Sequence, residues 1–247
     1  MTAAVIRRIR NAWGLLRVGQ LGARFSKCPV CGPTLLVRLA RAAISVRCTR
    51  CRASGIHMSI VQVIQGLYPD LSALTVYEMS SRGPVFEYLK GRARRLTCSE
   101  YFDDVAPGQS KGDVQCQDVE RLTYSDASFD LCTSTEVFEH VPDDEKGFRE
   151  IRRVLKPGGR FIFTVPLSDS PVSVKRAEIV GGEVRHLLPP EYHGDVIRGQ
   201  GRVLVYRDYG RDVVTRLRLC GFAKAAIVDV DDAQWWGLGQ RVIVAEA

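Results

Sequence analysis

Two cysteine pairs carry the most specific chemistry in the chain. Cys28-Pro29-Val30-Cys31 and Cys48-Thr49-Arg50-Cys51 are CxxC knuckles separated by sixteen residues. Each knuckle places two thiolates on a tight turn, and the two together can close a tetrahedral four-sulfur site around one metal ion. Such a site keeps no position for a catalytic water, so a structural Zn(2+) is expected. Iron suits the same ligands, and a disulfide or redox pair suits the same spacing. Leu35, Leu36, Val37 and Leu39 would pack around the ribbon, and His57 is expected to start or cap the following helix rather than to ligate. Cys98, Cys116, Cys132 and Cys220 are scattered and read as buried, reduced thiols.

A second concentration of reactive groups lies in Pro189-Pro190-Glu191-Tyr192-His193-Gly194-Asp195, which joins rigid turn chemistry to side chains that move protons and make hydrogen bonds. His193 is the first candidate for a general base, with Tyr192 positioning substrate and His140 competing for the base role. A purely structural histidine is the plain alternative at both positions. Arg176, Arg185 and His186 lie in the same polar stretch and could contact an anionic substituent.

The elements that must position these groups read as an open α/β unit. Val114 to Cys116 and Phe129 to Thr133 are short apolar runs suited to buried parallel strands. Phe148, Ile151, Val154 and Leu155 fall at helical spacing, and Lys156-Pro157-Gly158-Gly159 is expected to stop that helix in a tight turn before a strand from Arg160 to Val165. Upstream, Ile56, Ile60, Val61, Val63, Ile64 and Leu67 line a helix, Leu74 to Glu78 and Arg95 to Glu100 are strands, and Val85 to Leu89 is a helix between them. Downstream, 167–201 is polar and reads as a loop-rich insertion; a helix from Asp212 to Leu219 and strands at Ala226 to Val228 and Arg241 to Val244 follow. Trp235-Trp236 is expected to pack a loop or a subunit contact, with acceptor binding as the alternative.

The run Gln117 to Leu122 with Ser128-Phe129-Asp130, then Glu136 to His140, then Leu155-Lys156-Pro157-Gly158-Gly159, resembles the central and C-terminal motifs of class I S-adenosylmethionine-dependent methyltransferases. The branch it resembles is the broad, type 11-like one that includes many small-molecule methyltransferases, and the resemblance spans roughly Leu74 to Val244. It implies a doubly wound sheet ending in an antiparallel hairpin, preceded here by the small four-cysteine ribbon. It also implies S-adenosylmethionine as cofactor, with Glu78 near its amino-acid end, Ser80 and Gly83 in the turn facing the methionine portion, Glu100 on the ribose hydroxyls, Asp118 on the adenine amine and Val119 against adenine. The turn departs from the family pattern, since Ser80, Arg82 and Pro84 stand where glycines are usual and only Gly83 remains; glycines there leave room for the ligand. A dehydrogenase could share the architecture, but the turn lacks GxGxxG.

The expected organisation is a basic amphipathic helix over 1–24, the zinc ribbon over 25–55 and the methyltransferase domain over 56–247. Charge is local: the 247-residue chain carries +7, but residues 1–52 hold ten Arg and Lys27 with no acid, giving +11, and the remainder is −4. That end would attract phosphate or an anionic surface. The expected activity is methyl transfer to an oxygen or nitrogen of a small molecule. The alternatives are an RNA base methyltransferase that uses the basic ribbon, or a nonenzymatic interaction protein with a degenerate cofactor site. No apolar stretch is long enough for a transmembrane segment, and the arginines at 7, 8, 10 and 17 interrupt any secretory signal, so a cytoplasmic location is expected. Acceptor identity and oligomeric state are not specified by any of these features.

Overall fold

A computed structural model describes residues 18–194 and 201–247. The helix expected over 1–24 therefore lies mostly outside the described residues, and its last three residues already belong to a strand. That strand, β1 (Gly22–Cys28), pairs antiparallel with β2 (Gly32–Arg38), which pairs with β3 (Val46–Cys48). Gly32 at φ 88° and Arg52 at φ 64° close the two knuckle turns, which need the left-handed backbone.

Helix α1 (Gly55–Leu67) begins at a capping box: the Ser54 side chain accepts from the His57 backbone and the His57 side chain accepts from the Ser54 backbone. His57 is thus a cap, as its position suggested. The ribbon shares a core with the domain behind it. Cys28, Leu36, Val46 and Cys48 join Met58, Ile60 and Ile64 of α1, and these pack on Val76, Leu131, Ile162 and Val242 of the main sheet. Trp235 is fully buried in that cluster, and the guanidinium groups of Arg24 and Arg38 sit over the Trp236 ring at 5.0 and 5.3 Å. The two tryptophans therefore fasten the ribbon to the domain.

The main sheet is built from β4 (Thr75–Glu78), β5 (Arg95–Glu100), β6 (Ser110–Lys111), β7 (Val114–Cys116), β8 (Phe129–Thr135), β9 (Leu155–Thr164), β16 (Lys224–Val228) and β17 (Val242–Glu246). Helices α2 (Pro84–Leu89), α3 (Asp144–Val154) and α4 (Val213–Leu219) accompany it. The strand order is β16-β17-β9-β8-β4-β5-β7-β6. Strands β7, β5, β4, β8 and β9 run parallel, whereas β17 inserts antiparallel between β9 and β16. The direction of winding reverses between β4 and β8, so a crevice opens beyond their carboxyl ends, the usual ligand site of open α/β sheets.

Two expectations are corrected. Lys156 to Gly159 is not a turn between helix and strand but a bulge inside β9: Phe129 pairs with Leu155 and Leu131 with Arg160. The C-terminus stitches this bulge, with Gly158 N donating to Ala247 O at 3.1 Å and Ala247 N to Gly159 O at 2.9 Å. A Cβ on Gly159 would come within 2.9 Å of Lys156 O. The loop-rich insertion also carries strands, two of which pair with strands just beyond it. Together they form three two-stranded ladders: β10 (Val174–Lys175) with β15 (Arg207–Asp208), β11 (Ala177–Val180) with β12 (Glu183–His186), and β13 (Tyr192–Gly194) with β14 (Arg202–Leu204). No helix among the described residues is long and apolar enough to cross a membrane.

Candidate functional site

A cavity of about 980 Å³ occupies the crevice at the reversal of winding. Met79, Ser80, Glu100, Tyr101, Asp118 and Val119 line one end; Glu136, His140, Tyr206 and Arg207 line the other, and Gly194 and Val203 of the β13–β14 ladder help cover it.

At the first end the glycine-poor turn is tied to a carboxylate. Ser81 N donates to Glu100 Oε1 at 2.8 Å, the Ser81 hydroxyl donates to the same oxygen at 2.8 Å, and the Ser80 hydroxyl at 3.2 Å. Glu100 Oε2 has no hydrogen-bond partner among the described residues. Asp118 Oδ1 accepts from Glu120 N at 2.9 Å, which fixes the carboxylate at the mouth of its strand. Ser80, Glu100, Asp118 and Val119 are thus brought together.

Glu78 and Gly83 are not. Glu78 is 2% exposed, accepts a hydrogen bond from Thr133, and does not line the cavity. Burial pushes its carboxyl up to about 8, against the opposing pull of the Thr133 hydroxyl. Gly83, at φ 98°, caps α2.

The second end is organised by a short turn after β8. Glu136 takes φ 53°, in the left-handed region, and turns the chain into a 3-10 segment over Phe138–His140. Phe138 anchors that segment, with its ring stacked on Phe148 at 4.6 Å. A Cβ on Gly147 would sit 3.0 Å from the Phe138 ring, so a small residue is needed there. With Phe138 pinned in the core, Glu139 is held at 1% exposure and His140 beside it faces the cavity. Tyr206 N donates to Glu139 O at 2.7 Å, and His140 Nδ1 bonds Leu204 O at 2.8 Å, so the β14–β15 segment is laid over the turn. The β13–β14 ladder then brings His193 in, its ring edge-on to His140 at 5.0 Å. Burial raises Glu139 well above the carboxylate range, aided by the charge of Glu136. Burial also lifts Glu136 to about 7, although Gln240 Nε2 donates to it at 2.7 Å.

The other expected substrate residues are elsewhere. Arg176 is a strut, bonded to Asp208 Oδ2 at 2.6 Å, Pro189 O at 3.0 Å and paired with Glu191 at 3.2 Å. Arg185 is exposed and pairs with Glu178, His186 is exposed on β12, and the Tyr192 ring faces Arg202 at 4.5 Å. None of the four lines the cavity. Sequence reasoning passed over Ser81 and Glu139; the position of Glu139 beside His140 was the available signal. It also passed over Asp144, 1% exposed, which receives Tyr209, Arg207 and Arg216 at 2.8 to 2.9 Å and so anchors the cover segment.

The ribbon cysteines also converge. Their four sulfurs lie within 4.8 Å of one another, with Cys28 to Cys51 at 3.7 Å and Cys31 to Cys48 at 3.5 Å. Four bonds of ~2.3 Å to a tetrahedral ion put sulfurs ~3.8 Å apart, so the cluster is compatible with a zinc ribbon.

Comparison with known proteins agrees with this geometry. Residues 80–163 match the methyltransferase domain family. The matched segment contains Ser80, Glu100, Asp118, Val119, Glu136, Glu139 and His140, and excludes both the four ribbon cysteines and the insertion. Over 101 residues the chain is 35% identical to the ubiquinone biosynthesis O-methyltransferase of Coxiella burnetii, covering 38% of this chain and 42% of that protein. Over 84 residues it is 36% identical to the sarcosine/dimethylglycine N-methyltransferase of Halorhodospira halochloris, covering 33% and 30% respectively. The chain thus spans less than half the length of these relatives. Among solved structures, an S-adenosylmethionine-dependent methyltransferase from Mesorhizobium loti superposes with a TM-score of 0.50 at 17% identity, over 76% of this chain and 98% of that one. The fold is the α/β class I methyltransferase fold, with four N-terminal cysteines clustered ahead of it.

Proposed function

We propose that the protein transfers a methyl group from S-adenosylmethionine to an oxygen or nitrogen of a small-molecule acceptor. The observation that carries this reading is one continuous cavity joining the Glu100–Asp118 end to the Glu136–His140 end, at the point where the sheet reverses its winding, with Glu139 and His193 packed beside His140. Its volume of about 980 Å³ has room for a nucleoside cofactor and a small acceptor together. The similarity to one named O-methyltransferase and one named N-methyltransferase supports the reaction class while leaving the atom open.

S-adenosylmethionine, when bound, supplies an electrophilic methyl on its sulfonium sulfur. Glu100 would receive the ribose hydroxyls, Asp118 the adenine amine, and Val119 the face of the ring, with Ser80 small enough to let the methionine portion approach. Ser81 holds Glu100 in one rotamer, so the ribose site is organised before the ligand arrives. The β13–β14 ladder covers the acceptor end and limits water there. His140, on the cavity wall, and His193 beside it are the groups placed to act on the acceptor.

We also propose that Cys28, Cys31, Cys48 and Cys51 hold a structural Zn(2+), and that the protein works in the cytoplasm. The sulfur spacing given above supports the first, and the second follows from it, since a reducing compartment keeps such thiolates available to a metal. The test is transfer of a radiolabelled methyl from S-adenosylmethionine to a panel of phenols, amines and total RNA. Labelled phenol or amine is the expected product. Label confined to RNA would replace the small-molecule acceptor, and no transfer to any acceptor would remove the reaction.

A further inference from the structure

At the acceptor end three side chains converge on one point. Glu139 Oε1 lies 3.6 Å from His140 Nε2 and 3.8 Å from His193 Nδ1, and the three donor atoms fall within 4.8 Å of one another. These separations are too long for hydrogen bonds. Among the described residues both carboxylate oxygens of Glu139 lack a hydrogen-bond partner, although the side chain is 1% exposed. A buried carboxylate left in that condition is costly, and something is needed to offset it.

The imidazoles are oriented for a particular partner. Leu204 O can only accept, so the 2.8 Å contact places the proton of His140 on Nδ1 and leaves the lone pair on Nε2, the nitrogen nearer Glu139. His193 faces the other way round, with Nδ1 toward Glu139 at 3.8 Å and Nε2 toward Glu191 Oε1 at 3.6 Å. For His140, an oxygen acceptor behind the far nitrogen is how metal-ligating histidines are held. A cation between the buried Glu139 carboxylate and the two ring nitrogens turned toward it would offset the cost of that burial. Donors bonded to one ion at ~2.1 Å stand ~3 to 3.6 Å apart, close to the distances found.

We propose that Glu139, His140 and His193 bind one divalent cation of the first transition row, and that this ion orients and acidifies a hydroxyl acceptor for O-methylation. The catalytic half rests on the methyl-transfer reading above; the binding half does not. Two imidazoles and one carboxylate suit Mn²⁺, Fe²⁺ or Zn²⁺, and three protein ligands leave positions open toward the cavity. The bound hydroxyl gives its proton to solvent. Its oxygen then forms the O–CH₃ bond while the CH₃–S bond breaks, and the electron pair stays on sulfur, giving a methyl ether and S-adenosylhomocysteine. His193 and His140 then act through the ion and not as bases.

The test uses full-length protein whose ribbon has first been filled with one equivalent of Zn²⁺, titrated with Mn²⁺ and followed by electron paramagnetic resonance and calorimetry. Mn²⁺ favours oxygen and nitrogen ligands over thiolates, which separates the two sites. One further equivalent of Mn²⁺ is expected, weakened at least tenfold in both Glu139→Gln and His193→Gln. His193 lies on a half-exposed strand, so its variant keeps the test decisive if Glu139→Gln does not fold. No stoichiometric Mn²⁺ binding by wild type, or equal affinity in wild type and variants, would overturn the site. S-adenosylhomocysteine binding, measured on the same samples, reports separately on the methyl-transfer reading. Binding of Mn²⁺ without it keeps the ion site and removes the reaction. Turnover of a hydroxyl acceptor that does not respond to Mn²⁺ would overturn the catalytic half.

Discussion

Ser81 clamps Glu100 twice, through its backbone N–H and its hydroxyl, each donating to Oε1 at 2.8 Å. A turn poor in glycine thus has a positive use: it spends its polar groups on the carboxylate expected to hold ribose. Ser81→Ala is predicted to leave the fold intact and weaken S-adenosylhomocysteine binding about threefold to tenfold, the usual net worth of one hydrogen bond. Calorimetric titration reads this directly; unchanged affinity would show that the clamp does not organise the site.

Asp144 is a buried charge with three donors, and removing it strands two arginines and a tyrosine under the cover segment. Asp144→Ala is predicted to destabilise the protein by about 3–5 kcal/mol, and Asp144→Asn by less. Urea unfolding measures both. A loss within experimental error of zero would mean that Arg207 and Arg216 find solvent without cost.

His57 gives stability a pH dependence. Burial, with the nearby charge of Arg47, lowers its folded-state value from 6.5 to about 4. Between these limits the unfolded chain binds a proton that the folded chain does not, so the contribution is fully present above about 6.5 and is lost as pH falls toward 4. The shift corresponds to on the order of 3 kcal/mol. His57→Gln keeps a capping-box acceptor but cannot titrate. The stability difference between wild type and this variant should therefore swing toward the variant by that order from pH 7 to pH 4. Acid release of zinc acts on both proteins and cancels. A difference independent of pH would contradict the assignment.

The shared core makes the ribbon part of domain stability. Cys48 is 1% exposed and packs in the same cluster as Met58, Ile60 and Ile64. Wild type is predicted to contain one equivalent of zinc, and Cys48→Ser to lose it together with a cooperative drop in Tm, because the face of α1 beneath the ribbon becomes exposed. Metal analysis and calorimetry check this. A zinc-free wild type, or a variant with unchanged Tm, would count against it.

Much of the frame was legible because it is local. Buried parallel strands such as Phe129 to Thr133 are short apolar runs, and the CxxC spacing brings its sulfurs together without help from distant residues. What escaped depends on distant partners. Lys-Pro-Gly-Gly reads as a stop, but Ala247 pairs with it from the C-terminus and keeps it in the sheet. Glu78 stands at a strand end, but Thr133 on the neighbouring strand draws it inward. Glu139 gains meaning only when the β13–β14 ladder delivers His193, and polar residues in that insertion give no apolar alternation to announce its hairpins.

The most direct test of the account is isothermal titration of zinc-loaded wild type and Glu100→Ala with S-adenosylhomocysteine. The account predicts one site of micromolar affinity in wild type, weakened at least tenfold by loss of the ribose carboxylate. Folded wild type that gives no binding heat at millimolar ligand, or Glu100→Ala that binds as tightly as wild type, would contradict a cofactor seated between Glu100 and Asp118.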